Sequence, residues 1–393
     1  MGQFKLARVQ TTKDAKDFIR VNVKINKNNA DYIRPLNKDI DDVFDPQRNN
    51  TFRHGWIQRW ILRDTRGELV GRIAAFINLQ YQVIAGNYLV GGIGFFDCIY
   101  DHQAAKILFD AAKDWLQFQG IEAMDGPINF GEQDRWWGLL VEGFQNPPYL
   151  MNYNLPYYQE LFEAYGFQEF YHQLGYSIAL DTSLEPIWHK INSEYENNPD
   201  FSIQQIDTNN FKKCSYDFTK MLYVDKLDLG LNGPVESDLV IDMLRKMLLF
   251  GNNPLVLLAQ YQQRPIAALF SIPDLNQLIK YLNGKFGIVQ IVKLFCLKHF
   301  KPCNKIMGLI YAIIPEFQKT GITVYLTIEL LKKINKSPKF RYTEYEMKWI
   351  GEVNHKMHQQ MENIGLMHKN RVLTTYRYLF DKSKTLKSSP LII

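Results

Sequence analysis

The chain of 393 residues is 46% hydrophobic and 14% aromatic and carries a formal net charge of +5. This composition excludes a largely disordered chain and provides for two or three buried cores, while the small positive balance permits anionic ligands without implying nucleic acid. Four scattered cysteines with no CxxC pair exclude a disulfide framework and point to a reducing compartment.

The opening "MGQFKLARVQTTKDAKDF" lacks the apolar run of a signal peptide. No window approaches the roughly 18 apolar residues of a membrane span. A cytoplasmic chain without a membrane partner is expected. Thr12 followed by "KDAKDFIRVNV" reads as an N-capped helix with Ala15, Phe18, Ile19, Asn22 and Val23 on one face. In "WIQRWILRDTRGELVGRIAAFINL" apolar and polar residues alternate on both sides of Asp64 to Gly67, which predicts a hairpin. The strand "YLVGGIGFFDCIY" and the helix "QAAKILFDAAKDWLQFQG" follow. Between them His102 reads as a surface or capping residue.

Residues 125–158 are broken repeatedly by glycine and proline and are rich in asparagine, tyrosine and tryptophan. So long a connection is pinned either by its own aromatics or by use as a substrate pocket. On the second reading Asn129, Glu132, Asp134, Arg135, Trp136, Tyr153, Tyr157 and Tyr158 contact substrate. Arg135 would then clamp a carboxylate, and Glu132 or Asp134 would orient an amine. The strand "LGYSIAL" ends this half, and Pro186 in "LDTSLEPIWHK" marks a boundary between domains 1–185 and 186–393.

The second half repeats the order: a helix in "SDLVIDMLRKMLLFG", a hairpin in "PLVLLAQYQQRPIAALFSIPDL", a basic stretch "KLFCLKHFKPCNK", then the strands "IMGLIYAII" and "YTEYEMKWI" around a helix. Ile-Ala-Ala recurs at 73–75 and 266–268, and Gly166 and Gly365 each end a helical pattern before a strand. A duplication follows, with α+β domains that each hold a mixed, mostly antiparallel sheet flanked by helices. The basic stretch reads as a solvated face or as a run that attracts the phosphates of CoA or tRNA, and Cys296, His299 and Cys303 offer too few ligands for a metal site, so none is expected.

In "PEFQKTGITVYL" a strand delivers the chain into a turn and an amphipathic helix, with Ile322, Leu326, Leu330 and Ile334 at intervals of four. Backbone N–H groups over Gln318 to Thr323 suit a pyrophosphate, with Lys319 adding charge and Gly321 allowing close approach; a structural cap by Thr320 is the other reading.

Here the sequence resembles the GCN5-related N-acetyltransferase superfamily. In that family a strand often ending in Pro-Glu is followed by Gln or Arg, two residues, Gly, one residue, Gly or Ala, and a long helix. Pro315, Glu316, Gln318 and Gly321 match, and Thr323 stands where the second small residue belongs. Asn354 and Gly365 match the family's later motif, whereas Met361, and Phe162 in the first half, stand where a tyrosine often protonates the departing thiolate. The stretches beginning "DGPINFGEQDRWWG", "SIPDLNQ" and "EYEMKWIGEVNHKM" resemble those of a bacterial group of tandem-domain acetyltransferase-like proteins.

The resemblance implies tandem acetyltransferase folds and acetyl-CoA or another acyl-CoA as cofactor, held by Gln318, Lys319, Thr320, Gly321, Ile322, Thr323 and Asn354. The expected function is acyl transfer from the acyl-CoA to a small amine or amino-acid-like acceptor. Non-catalytic binding of acyl-CoA or another small ligand, and transfer from an aminoacyl-tRNA, are the alternatives. A proton acceptor for the amine is needed. Glu346 is the first candidate, with Glu316 and Glu352 behind it. No nucleic-acid-binding module is recognisable, and the oligomeric state is not encoded in any motif.

Overall fold

The computed structural model describes residues 4–82, 88–131, 133, 135–180, 195, 197–206, 255–301, 303–317, 320–336, 341–352, 355, 358, 359, 362 and 367–386. The described strands are β1 (Phe4–Arg8), β2 (Gly55–Asp64), β3 (Leu69–Asn78), β4 (Val90–Cys98), β5 (Ala123–Gly126), β6 (Leu139–Glu142), β7 (Gln168–Ala179), β8 (Phe201–Gln205), β9 (Leu255–Tyr261), β10 (Arg264–Pro273), β11 (Lys305–Ile313), β12 (Glu344–Gly351) and β13 (His368–Leu379). The main helices are α1 (Thr12–Ile25), α2 (Asn37–Val43), α3 (His102–Phe118), α4 (Tyr158–Tyr165), α5 (Ile288–Phe300) and α6 (Ile322–Lys336).

Local chemistry sets these elements. Thr11, one residue before the position read from sequence, caps α1: its hydroxyl accepts from the Asp14 N–H at 3.1 Å, and Asp14 accepts in return from the Thr11 N–H at 3.0 Å. The first hairpin turns at Gly67, whose φ of 81° is left-handed. The second, between β9 and β10, turns through Gln262 and Gln263 at φ 50° and 65°, the conformation a two-residue hairpin loop demands even without glycine. Both hairpins fall where the alternation of the sequence places them. The helix "SDLVIDMLRKMLLFG" lies outside the described residues.

All thirteen strands join one sheet in the order β1-β2-β3-β4-β5-β13-β7-β12-β11-β10-β9-β8, with β6 pairing off this path to β13. β4 with β5 and β11 with β12 are parallel, and the other described pairings are antiparallel. The α+β class and mostly antiparallel sheets are as expected. The order also reveals an exchange: β13, from the second half of the chain, lies against β5 of the first, while β7, from the first half, lies against β12 of the second. Tyr376 on β13 is buried among Phe109, Phe162 and Leu108 of the first half. Tyr176 on β7 is buried among Leu257, Phe270 and Tyr345 of the second. Each core is completed by the other half's last strand. The sequence boundary near Pro186 lies outside the described residues.

Buried charge fixes the exchanged strand. Arg377 on β13 meets both carboxylate oxygens of Asp125 on β5 at 2.6 Å, and its guanidinium lies 3.6 Å from the Phe170 ring centroid. Tyr81 donates to the same carboxylate at 2.6 Å. In the second half Glu346 on β12, fully buried, accepts from Lys305 at 2.7 Å and faces Arg371 of β13 at 3.5 Å. The two carboxylates sit at matching places, each next to a parallel strand pair, and each faces an arginine of β13.

Candidate functional site

The paired register of β11 and β12 runs from Lys305 with Glu344 to Gly308 with Met347 and then stops, so the two strands separate towards their C-terminal ends. Beyond the split β11 continues along β10 and β12 continues along β7. At the far end of β11 the chain makes a single 3-10 turn over Pro315–Phe317 and reaches Gly321, whose φ is 80°. Among the described residues, a Cβ placed on Gly321 would find only the Tyr195 hydroxyl, at 4.0 Å, so the described structure leaves space before α6. Tyr195 donates to the Thr320 carbonyl and stacks on Tyr325 at 4.7 Å, and the Thr320 hydroxyl donates to the Phe317 carbonyl at 2.8 Å. Thr320 therefore braces the turn from below. Ile322 and Thr323, which open α6, are buried. The predicted apolar face of α6, Ile322, Leu326, Leu330 and Ile334, is buried as its spacing requires. Gln318, Lys319 and Asn354 lie outside the described residues.

Hydroxyl groups gather at the split. Tyr311 and Tyr345 share a hydrogen bond of 2.5 Å, and Tyr311 is 2.9 Å from Thr327 of α6. Burial pushes the Tyr311 phenol up to about 12 and also raises Tyr345 well above its ordinary value, so both remain protonated at neutral pH. Gly308 is required here, because the Tyr345 hydroxyl occupies the place a Cβ would take.

At the opposite end of the same strands a cavity of about 520 Å³ opens between the halves. Asp31, Ile33, Gln145 and Asn146 line it from the first half; Asp274, Gln277, Lys280, Tyr281, Lys301, Asn304, Lys305 and Glu344 line it from the second. Asp274 is 5% exposed, and burial raises its carboxyl to about 7, with the neighbouring Glu346 raising it further against the Asn276 N–H, Lys305 and Arg371. A carboxyl poised near neutrality beside a polar cavity is suited to taking a proton from an amine. Sequence reasoning passed over Asp274 as a catalytic group. The available signal was the Pro-Asp step at the end of β10 in "SIPDLNQ", since a carboxylate at a strand end inside an otherwise apolar run has to be accommodated by burial.

The carboxylates named from the sequence are engaged differently. Glu346 is held in ion pairs with Lys305 and Arg371. Glu316 is exposed and bonds Arg264 at 3.3 Å on the surface. Glu352 lies at the end of β12, its carboxylate 3.8 Å from His172. The long connection of the first half is drawn between both halves: Arg371 donates to the carbonyls of Gly143 and Asn146 at 3.3 Å, and Asn276 donates to Pro147 at 2.7 Å. Its aromatics are tied down, Tyr153 to Asn29 at 3.0 Å, Tyr157 to the Cys98 carbonyl at 2.7 Å and Tyr158 to Asp97 at 3.1 Å. Trp136, Tyr153 and Tyr158 border a second cavity of about 70 Å³ in the first half, with Arg72 and Asp97 among its walls. Asn129 is buried, and Arg135 is close enough to Asp39 for its charge to favour the carboxylate. Glu132 and Asp134 lie outside the described residues.

No protein-family model matches the chain. It is 25% identical over 369 residues to the bacterial ceramide synthase of Caulobacter vibrioides (strain NA1000 / CB15N), covering 92% of this chain and 94% of that protein. It is 24% identical over 381 residues to Protein YghO of Escherichia coli (strain K12), covering 90% of each. Among solved structures, a tandem GNAT protein from the clavulanic acid biosynthesis pathway superposes with a TM-score of 0.56 at 9% identity over 97% of this chain and 100% of that one. A GCN5-related N-acetyltransferase from Sphaerobacter thermophilus gives 0.51 at 10% identity over 99% of each.

The chain has the tandem GCN5-related N-acetyltransferase fold.

Each half of this tandem fold contains one parallel strand pair, and the two helix starts that follow differ in charge. In the first half Asp101 caps α3, its carboxylate accepting from the Ala104 N–H at 2.8 Å, and so fills with negative charge the place where an anion would bind. In the second half Gly321 precedes α6 with space above it among the described residues. Phe162, at the offset of the usual general acid, is buried against Phe96 and Phe109 and donates nothing.

Proposed function

We propose that this protein is an N-acyltransferase that holds an acyl-CoA at the split of β11 and β12 and transfers its acyl group to an amine that enters through the cavity between the halves and reaches the split. The observation that carries this reading is the split itself, leading at the end of β11 into the open turn at Gly321. The backbone N–H groups of the turn at Gly321 would hold the pyrophosphate, with Gln318 and Lys319 beside it in sequence. The thioester supplies an activated acyl carbon. Asp274 takes a proton from the entering ammonium in the cavity, the free amine then attacks the thioester at the split, and the Tyr311–Tyr345 pair supplies to the departing thiolate the hydroxyl that Met361 lacks. Support for an amine acceptor comes from the Caulobacter relative's name, because a ceramide is an amide of a fatty acid with a long-chain amino alcohol.

Calorimetry with acetyl-CoA and longer acyl-CoAs tests the donor site. Gly321→Ala adds only left-handed backbone strain, whereas Gly321→Trp also fills the open space. The tryptophan variant is expected to bind at least about tenfold more weakly than the alanine variant. Equal affinities would remove this turn from the donor site. Release of free thiol with an amine panel then separates turnover from the alternative reading, binding without chemistry, which draws on Met361.

A further inference from the structure

We propose that α5 docks this protein onto the surface of an anionic phospholipid bilayer, lying in the interfacial plane beside the cavity that contains Asp274. In "IVQIVKLFCLKHF" only Leu294 is fully buried, while Ile288, Val289, Phe295 and Phe300 are 83%, 73%, 79% and 78% exposed. Ile291 and Val292 are more than half exposed beside them. Scattered surface hydrophobes need no partner, but a contiguous apolar face on one helix does.

Charge identifies the partner. From Leu275 to Asn304 the chain contains no aspartate or glutamate and five lysines, at 280, 285, 293, 298 and 301. Apolar side chains ringed by lysine match the acyl boundary and phosphates of an anionic leaflet. The same ring opposes a second copy, because self-association through this face sets lysine against lysine. Thirteen residues of helix extend ~20 Å, too short to cross a bilayer, so the helix lies on the surface. Among the described residues no helix is long and apolar enough to span, a separate matter from interfacial docking.

The helix is fastened to the cavity wall. Lys293 donates to the Tyr281 carbonyl at 2.7 Å and Lys301 to the Tyr281 hydroxyl at 3.2 Å, and Lys280, Tyr281 and Lys301 line the cavity. Docking therefore holds the cavity at the headgroup layer, where an amine borne by a lipid can reach it; this last consequence rests on the proposed acyl transfer, whereas the docking does not.

Co-sedimentation of the full chain with vesicles tests the docking. Retention by vesicles containing phosphatidylglycerol is expected to exceed that by pure phosphatidylcholine by about tenfold. The double variant Ile291→Glu with Phe295→Glu, checked for folding by circular dichroism and for unchanged acetyl-CoA binding, should fall to the phosphatidylcholine level. The inference is overturned by absence of retention on phosphatidylglycerol, by equal retention on both vesicles, or by undiminished retention of the folded variant. A dimer in light scattering that the variant abolishes, without vesicle binding by the parent, also overturns it and assigns the face to a second copy. Gly321→Trp should leave retention unchanged, so a failed donor site and a failed docking face are read separately.

Discussion

Asp274 and Glu346 are both buried near the cavity, and their partners assign them different work. Glu346 is ion-paired with Lys305 and Arg371, an arrangement matched in the first half by Asp125 and Arg377, and through Arg371 it ties β12 to β13. Among the described residues Asp274 keeps one backbone N–H bond and no ion pair of that kind, and burial raises its carboxyl to about 7. Asp274→Asn should lower kcat by ~100-fold with little change in donor affinity, a size typical of losing a general base. The parent rate should rise with pH through about 7 as the carboxylate forms, and the variant should lose that rise. Stability moves the other way. The folded state holds this proton between the ordinary aspartate value of 3.8 and about 7, so the contribution of Asp274 is full below that window and falls as pH rises through it. Urea titrations across pH 4–8 (about the window expected from the shift) should show the parent losing stability relative to Asp274→Asn. A parallel pH dependence of the two would remove the carboxyl from both arguments. Asp274 was legible in the sequence only as part of a recognisable stretch, because its altered acidity comes from burial and from Glu346, 72 residues further on.

At the scale of elements, β13 bears the most consequence. It fills the gap between β5 and β7, contributes Tyr376 to the first core, and presents Arg377 to Asp125 and Arg371 to Glu346. Arg377→Met removes one member of a fully buried pair and leaves the Asp125 charge without its partner, a change that costs ~3–5 kcal/mol. Thermal unfolding should drop sharply, and adding Asp125→Leu should recover part of the loss, since replacing both members removes the stranded charge. A double variant no more stable than Arg377→Met would mean the pair is not what anchors the strand. The hairpins and the face of α6 could be read from periodicity, since alternation and spacing by four are local properties of the chain. The partner of β13 could not, because strand pairing across more than two hundred residues leaves no local mark.

For the whole molecule, the exchange of β7 and β13 makes two sequence halves into one cooperative sheet. Residues 1–185 expressed alone lack β13, and residues 186–393 alone lack β7; each should be largely insoluble with an uncovered strand edge. Co-expression should restore a soluble complex in which protected backbone amides of β5 exchange as slowly as in the intact chain. A soluble, cooperatively folded fragment 1–185 would show that the halves are independent domains. The amino-acid sequence by itself determined the duplicated order of elements, the α+β class, the hairpins, the amphipathic α6 and the resemblance carried by "PEFQKTG", since each depends on spacing within a few turns or strands. Only the tertiary structure decided the strand exchange, the structural engagement of Glu346, the acidity of Asp274 and the exposure of α5. Those four depend on which distant groups exclude water from one another, and burial is a property of the packed molecule.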